Sequence, residues 1–151
     1  MKSTFFTLIT VLLVSFSAHA QKKKAAPVKQ VNVPENVNTS FKSQYAVADG
    51  NQWNKNYSGN FVASFTNADH MKQTVEFSSS GAVVKSKIEY SPEGLPESIN
   101  GSILAQYPNT KVTEAAKMQM PGVAPYYRVK IITADNTAKE LLISEEGTIT
   151  E

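Results

Sequence analysis

The sequence predicts an α+β fold in which two helices lie on one face of a single twisted antiparallel sheet. Three observations predict it: the chain repeats itself, apolar spacing changes from four to two after each predicted helix, and Gly-ended turns close the later strand pairs. The first copy begins Val33-Pro34-Glu35-Asn36-Val37 and continues to Phe41 and Tyr45. The second begins Leu95-Pro96-Glu97-Ser98-Ile99 and continues to Ile103 and Tyr107, 62 residues later at each matched position. Further on, Phe61, Ala63, Phe65, Val75, Phe77 and Gly81 match Tyr127, Val129, Ile131, Leu141, Ile143 and Gly147 at a spacing of 66. The second copy therefore carries four extra residues in its middle.

Each copy opens on a short helix. Proline suits a first helical turn, glutamate follows it at the positive end of the dipole, and the stripes Val37-Phe41-Tyr45 and Ile99-Ile103-Tyr107 recur every four residues. The helices should stop after their tyrosines, before an Asp49-Gly50 turn in one copy and at Pro108 in the other. Strict alternation follows. Phe61, Ala63 and Phe65, and then Tyr127, Val129 and Ile131, face a core, and turns are expected at Asn67 to His70, Ser80-Gly81, Ala134 to Thr137 and Glu146-Gly147. A strand from Ala82 to Tyr90 closes the first copy, whereas only Thr148 to Glu151 remain to close the second.

Neither helix can bury its stripe alone, so joining both meanders into one sheet beneath the two helices is the economical solution. The opposite face is then open. Alternation assigns to it Val62, Ser64, Thr74, Glu76, Arg128, Lys130, Ile132, Glu140 and Leu142, a mixed surface with exposed apolar residues of the kind that receives a partner.

The residues before Val33 read as an address and a tether. Met1-Lys2, an apolar run from Phe5 to Phe16 and the small residues Ala18-His19-Ala20 predict a signal peptide over 1–20, cleaved after Ala20; the run is shorter than a membrane span requires. Residues 21–32 then form a basic flexible linker, and 33–151 a domain of two repeats, about 33–94 and 95–151. Lys22, Lys23 and Lys24 could touch an anionic envelope surface weakly. Beyond the linker, ten Lys/Arg stand against 13 Asp/Glu, so the pI of 8.7 reflects the leader and tail and gives no reason to expect nucleic-acid binding. No second apolar span follows, and the expected location is the periplasm or outside the cell.

The duplicated V/L-P-E-x-V/I helix start, Trp53 after the first helix, the strands Phe61-Val62-Ala63-Ser64-Phe65 and Tyr127-Arg128-Val129-Lys130-Ile131, and the Gly81 and Gly147 hairpins together resemble the PepSY-like family described as beta-lactamase-inhibitor-like. The resemblance covers about Val33 to Glu151. It implies a secreted or periplasmic tandem-repeat domain similar in architecture to beta-lactamase inhibitory proteins, most members lacking an established activity. No inhibitory loop motif carries over, and the disulfide-bonded character of the known inhibitor is missing from this cysteine-free chain.

Chemistry of other kinds finds little support. Without cysteine there is no thiol nucleophile or Cys-based zinc site, and no metal or cofactor is expected. His70 sits beside Asp69 in a turn, but no G-x-S-x-G element supplies a nucleophile. Glu145-Glu146 is a turn charge rather than a paired-carboxylate site. The reading is a non-enzymatic binding module, with inhibition of a secreted enzyme as its specific form; an envelope structural or stress-response component is the alternative, and a small hydrolase the third. Trp53 and Tyr127 are assigned to the core, Tyr90 and Tyr126 to exposed loop borders, and Met118 to Pro125 to an adaptable loop. The partner-binding set is Val62, Glu76, Tyr90, Met118, Met120, Tyr126, Arg128, Lys130, Ile132 and Leu142.

Overall fold

The computed structural model describes residues 31–150, so the expected leader and most of the expected tether lie outside the described residues. The first half runs α1 (Glu35–Gln44), β1 (Asp49–Lys55), β2 (Phe61–Thr66), β3 (Lys72–Phe77) and β4 (Val83–Tyr90). After a single 3-10 turn at Pro92–Gly94, the second half runs α2 (Glu97–Gln106), β5 (Lys111–Met120), β6 (Val123–Ile132), β7 (Ala138–Ser144) and β8 (Ile149–Thr150). All eight strands form one sheet in sequential order, and every neighbouring pair is antiparallel.

Both helices begin alike. Pro34 and Pro96 cap them from extended backbone, and their carbonyls accept the first helical bonds, from Asn38 and Asn100, at 3.0 Å. The prolines thus stand one residue before the helical turn predicted for them. The ends also match, with the Tyr45 and Tyr107 amides donating to the Phe41 and Ile103 carbonyls at 2.8 and 2.7 Å. Asp49-Gly50 is not the turn the sequence suggested. The chain turns at Ala46-Val47, and Asp49-Gly50 opens β1 at a bulge that leaves the pairing regular from Gln52 onward.

The sheet is covered on one side by two separate cores. α1 buries Val37 and Phe41 against Phe61, Ala63, Phe65, Val75 and Phe77, and α2 buries Ile99 and Ile103 against Tyr127, Val129, Ile131, Leu141 and Ile143. Register shows that these are the same face. Partners across a ladder share a face and residues two apart return to it, so Val129 leads through Ala115 to Tyr90, then along β4 to Ser86, and across to Val75. Val31, expected in the linker, already packs against the first core.

The two outer turns are built alike. In each, the amide of Gly81 or Gly147 donates to the carbonyl three residues earlier at 3.0 Å, and the glycine adopts φ +84° or +90°, a region L side chains avoid. Each glycine also lies against the helix of its own half. A Cβ at Gly81 would stand 2.9 Å from Ser40 Oγ and 3.0 Å from the Asn36 carbonyl oxygen; at Gly147 it would stand 2.5 Å from Ser102 Oγ.

Candidate interaction surface on the open sheet face

No element among the described residues covers the other side of the sheet, yet parts of it are shielded. Ala116 and Met118 of β5 and Glu76 of β3 are only 8%, 8% and 6% exposed. Ala116 and Met118 form the floor of a trough between β4 and β6. The ladder sets Lys87 opposite Met118 and Glu89 opposite Ala116 on one side, with Tyr126 and Arg128 opposite them on the other. Long side chains on both walls therefore stand over a small and a flexible residue, leaving a depression of ≈ 330 Å³ around Met118 and a second beside it along Glu114 and Lys130.

Three ion pairs organise the trough. Lys85 Nζ meets Glu76 Oε2 at 3.0 Å, Lys87 meets Glu89 at 2.6 Å and Lys130 meets Glu114 at 2.9 Å. Glu76 is the most enclosed. Burial by itself would raise its pKa, but hydrogen bonds from Asn60 Nδ2 (2.7 Å), Lys85 and Asn56 Nδ2 (2.8 Å), with the charge of Lys85, hold it below the ordinary carboxylate value. Glu114 is also held low, by the Lys130 hydrogen bond first, then by the charges of Lys130, Arg128 and Lys87. Arg128 itself is exposed, and it makes no hydrogen bond or ion pair among the described residues.

Register places Val62, Glu76, Met118, Tyr126, Arg128, Lys130, Ile132 and Leu142 together on this face, and Ser64, Thr74 and Glu140 with them. Two expected positions are corrected. Tyr90 is half-buried on the helix side, its ring 5.7 Å from that of Tyr127, because pairing with Ala115 puts it over that small residue. Met120 follows a bulge after Met118 and lines a depression with Gln44, Tyr45 and Val83, beside α1. Nor is Met118 to Pro125 a loop. It is the end of the β5–β6 hairpin, turned at Pro121-Gly122, and the four extra residues of the second copy lengthen this hairpin beyond the Lys117–Tyr127 pair.

Sequence reasoning missed Lys85, Lys87, Glu89, Asn56 and Asn60. The alternation Lys85-Lys87-Glu89 was available, but only register tells which face it joins. Elsewhere, Trp53 packs 5.2 Å from Phe41, and Tyr127 is buried, as expected for core residues. His70 is exposed in the β2–β3 turn and shares the wall of a depression with Ser91; no hydrogen bond links their side chains, the Ser91 hydroxyl accepts from the Gly94 amide, and Asp69 is not part of that wall. No group of three or more His, Cys, Asp or Glu residues among those described could hold a metal ion, and no helix among them is long and apolar enough to cross a membrane.

Two helices on one side of an open eight-stranded antiparallel sheet make a fold of the BLIP-like kind. Solved structures share it. A BLIP-like protein from Bacteroides fragilis superposes with a TM-score of 0.71 at 18% identity, over 80% of this chain and 85% of that one. A DUF2874 family protein from Bacteroides ovatus gives 0.70 at 22% identity over 80% and 86%, and a candidate periplasmic protein from Bacteroides eggerthii gives 0.68 at 17% over 80% and 88%. No family model and no curated protein matches the chain.

Proposed function

We propose that this chain is a non-enzymatic binding module of the periplasm or extracellular space that holds a protein partner on the open face of its sheet. The observation that carries the reading is the trough: Met118, Ala116 and Glu76 are enclosed on a face that no element among the described residues covers, beside Leu142, which is apolar and 39% exposed. Such a patch, apolar at its floor and polar at its rim, has the anatomy of a recognition surface. The predicted signal peptide and the candidate periplasmic neighbour support the location, and the BLIP-like neighbour supports inhibition of a secreted enzyme as the specific form. The sequence resemblance to PepSY-like domains points the same way.

The test is capture from native envelope extract by cross-linking, with the double variant Ile132→Glu, Leu142→Glu as comparator. Both side chains face the open side, so the variant should fold with an unchanged circular-dichroism spectrum and lose the captured protein. Equal capture by both forms would refute the assignment. If the loss occurs, the captured protein's own activity, assayed with and without the chain, decides between an inhibitor and a passive binder.

A further inference from the structure

Within the trough, one charged group differs from its neighbours. Lys85, Lys87 and Lys130 each have a carboxylate within 3.0 Å, whereas Arg128, at the junction of both depressions, has no hydrogen-bond or ion-pair partner among the described residues. Its ladder neighbours are Ala116 on one side and Leu142 on the other, and Met118 and Val62 share its depression. A cation with apolar ladder neighbours, set among ion-paired lysines and carboxylates, is therefore presented on a face that no element among the described residues covers.

We infer that Arg128 is the anchor for a single carboxylate, an Asp or Glu side chain flanked by an apolar residue on a loop of the protein partner. This inference rests on the open-face reading and specifies its chemistry. Guanidinium geometry matches a carboxylate with two parallel hydrogen bonds, and partial exclusion of water by the partner would strengthen them. The flanking residue would rest on Met118 and Leu142. The charge balance sets the limit to one: Glu76, Glu89 and Glu114 are matched by Lys85, Lys87 and Lys130, which leaves Arg128 as the one unmatched cation of the trough among the described residues and gives a polyanion such as nucleic acid or a multiply phosphorylated segment nothing more to pair with. The depression around Met118, at ≈ 330 Å³, has room for a side chain or two.

The experiment pans a phage library of disulfide-closed seven-residue loops on the immobilised chain, and measures enriched loops against Arg128→Gln, Arg128→Lys and Leu142→Glu. Enriched loops are expected to share one Asp or Glu beside an apolar residue. Their binding should weaken at least tenfold in Arg128→Gln, less in Arg128→Lys, and also in Leu142→Glu, while the melting temperature of Arg128→Gln changes little because the side chain is exposed and makes no hydrogen bond or ion pair among the described residues. Loops without an acidic residue that still respond to Leu142→Glu would overturn the inference and leave the open-face reading standing. Loops indifferent to both Arg128→Gln and Leu142→Glu would overturn both, and absence of any enriched loop would overturn the inference.

Discussion

The two halves of the sheet share a skeleton and differ in three places. Matching begins with the helix stripes, continues through turns that bond in the same pattern, and includes a lysine over an aromatic ring in both: Lys55 stands 5.1 Å from the Phe61 ring centre and Lys117 5.8 Å from that of Tyr127. The first difference is the core, aromatic in one half and largely aliphatic in the other. Phe41, Phe65 and Phe77 are replaced by Ile103, Ile131 and Ile143, and Trp53, which pairs with Ala63, is replaced by Ala115, which pairs with Val129 and receives Tyr90. Bulk is redistributed across facing positions, as a close-packed interior requires. The second difference is the longer β5–β6 hairpin. The third lies on the open face, where Asn56, Asn60 and Glu76 of the first half correspond to Met118, Tyr126 and Leu142 of the second. One half encloses a polar cluster and the other offers an apolar floor, so the two halves share a scaffold and divide the surface.

The largest expected effects come from emptying each core at its matched position. Phe77→Ala should cost about 4 kcal/mol and Ile143→Ala about 3 kcal/mol in urea unfolding, because both side chains are fully buried and removal leaves a cavity. Since the cores are separate clusters joined through the β4–β5 ladder, amide exchange should rise first in the half that carries the substitution. Uniform acceleration would mean that the halves behave as one unit.

A sharper comparison uses the two glycines. Gly81→Ala and Gly147→Ala share the unfavourable backbone region and should each cost about 2 kcal/mol. Their steric parts differ in kind. At Gly81 the nearest groups include the Asn36 carbonyl oxygen at 3.0 Å, which cannot move without the helix; at Gly147 the obstacle is Ser102 Oγ, and the nearest backbone atom is 3.4 Å away. Ser102→Ala should therefore recover part of the loss in Gly147→Ala, whereas Ser40→Ala should leave Gly81→Ala almost unrelieved. Equal rescue in thermal melts would contradict this account.

The pattern that made the fold legible was the repeat itself. Val37-Phe41-Tyr45 and Ile99-Ile103-Tyr107 located both helices, and alternation around Phe61 and Tyr127 located the core side of β2 and β6. What stayed hidden depended on register. β5 carries Ala115-Ala116 and a bulge at Gln119, so its alternation is too irregular to assign faces, and the side of the sheet that Tyr90 takes is likewise set by pairing with Ala115. The trough was half legible. Arg128, Lys130 and Leu142 followed from β6 and β7, but the wall supplied by Lys85, Lys87 and Glu89 requires knowing that β4 and β5 are neighbours across an intervening helix.

The smallest effects address the divided surface, at Glu76 and its counterpart Leu142. Glu76→Gln should cost about 2 kcal/mol at neutral pH, the scale of losing charge-assisted hydrogen bonds to a buried carboxylate. Because the folded-state pKa lies below the unfolded value, the unfolded chain binds more protons between the two, and stability falls as pH drops through that interval. The native chain should thus lose this contribution below the ordinary carboxylate range, and the variant should show a shallower acid slope in melting temperature. Leu142→Glu places a carboxylate at the matched position, where Met118 and Tyr126 stand in place of Asn56 and Asn60. It should change stability by less than about 0.5 kcal/mol and add only a small acid-sensitive part, since the donor opposite the new group, the Arg128 guanidinium, is exposed and the pair is screened by water. An acid slope in Leu142→Glu equal to that lost in Glu76→Gln would show that one exposed cation across the ladder holds a carboxylate as low as the asparagines and Lys85 hold Glu76, and the proposed division of the surface would fail with it.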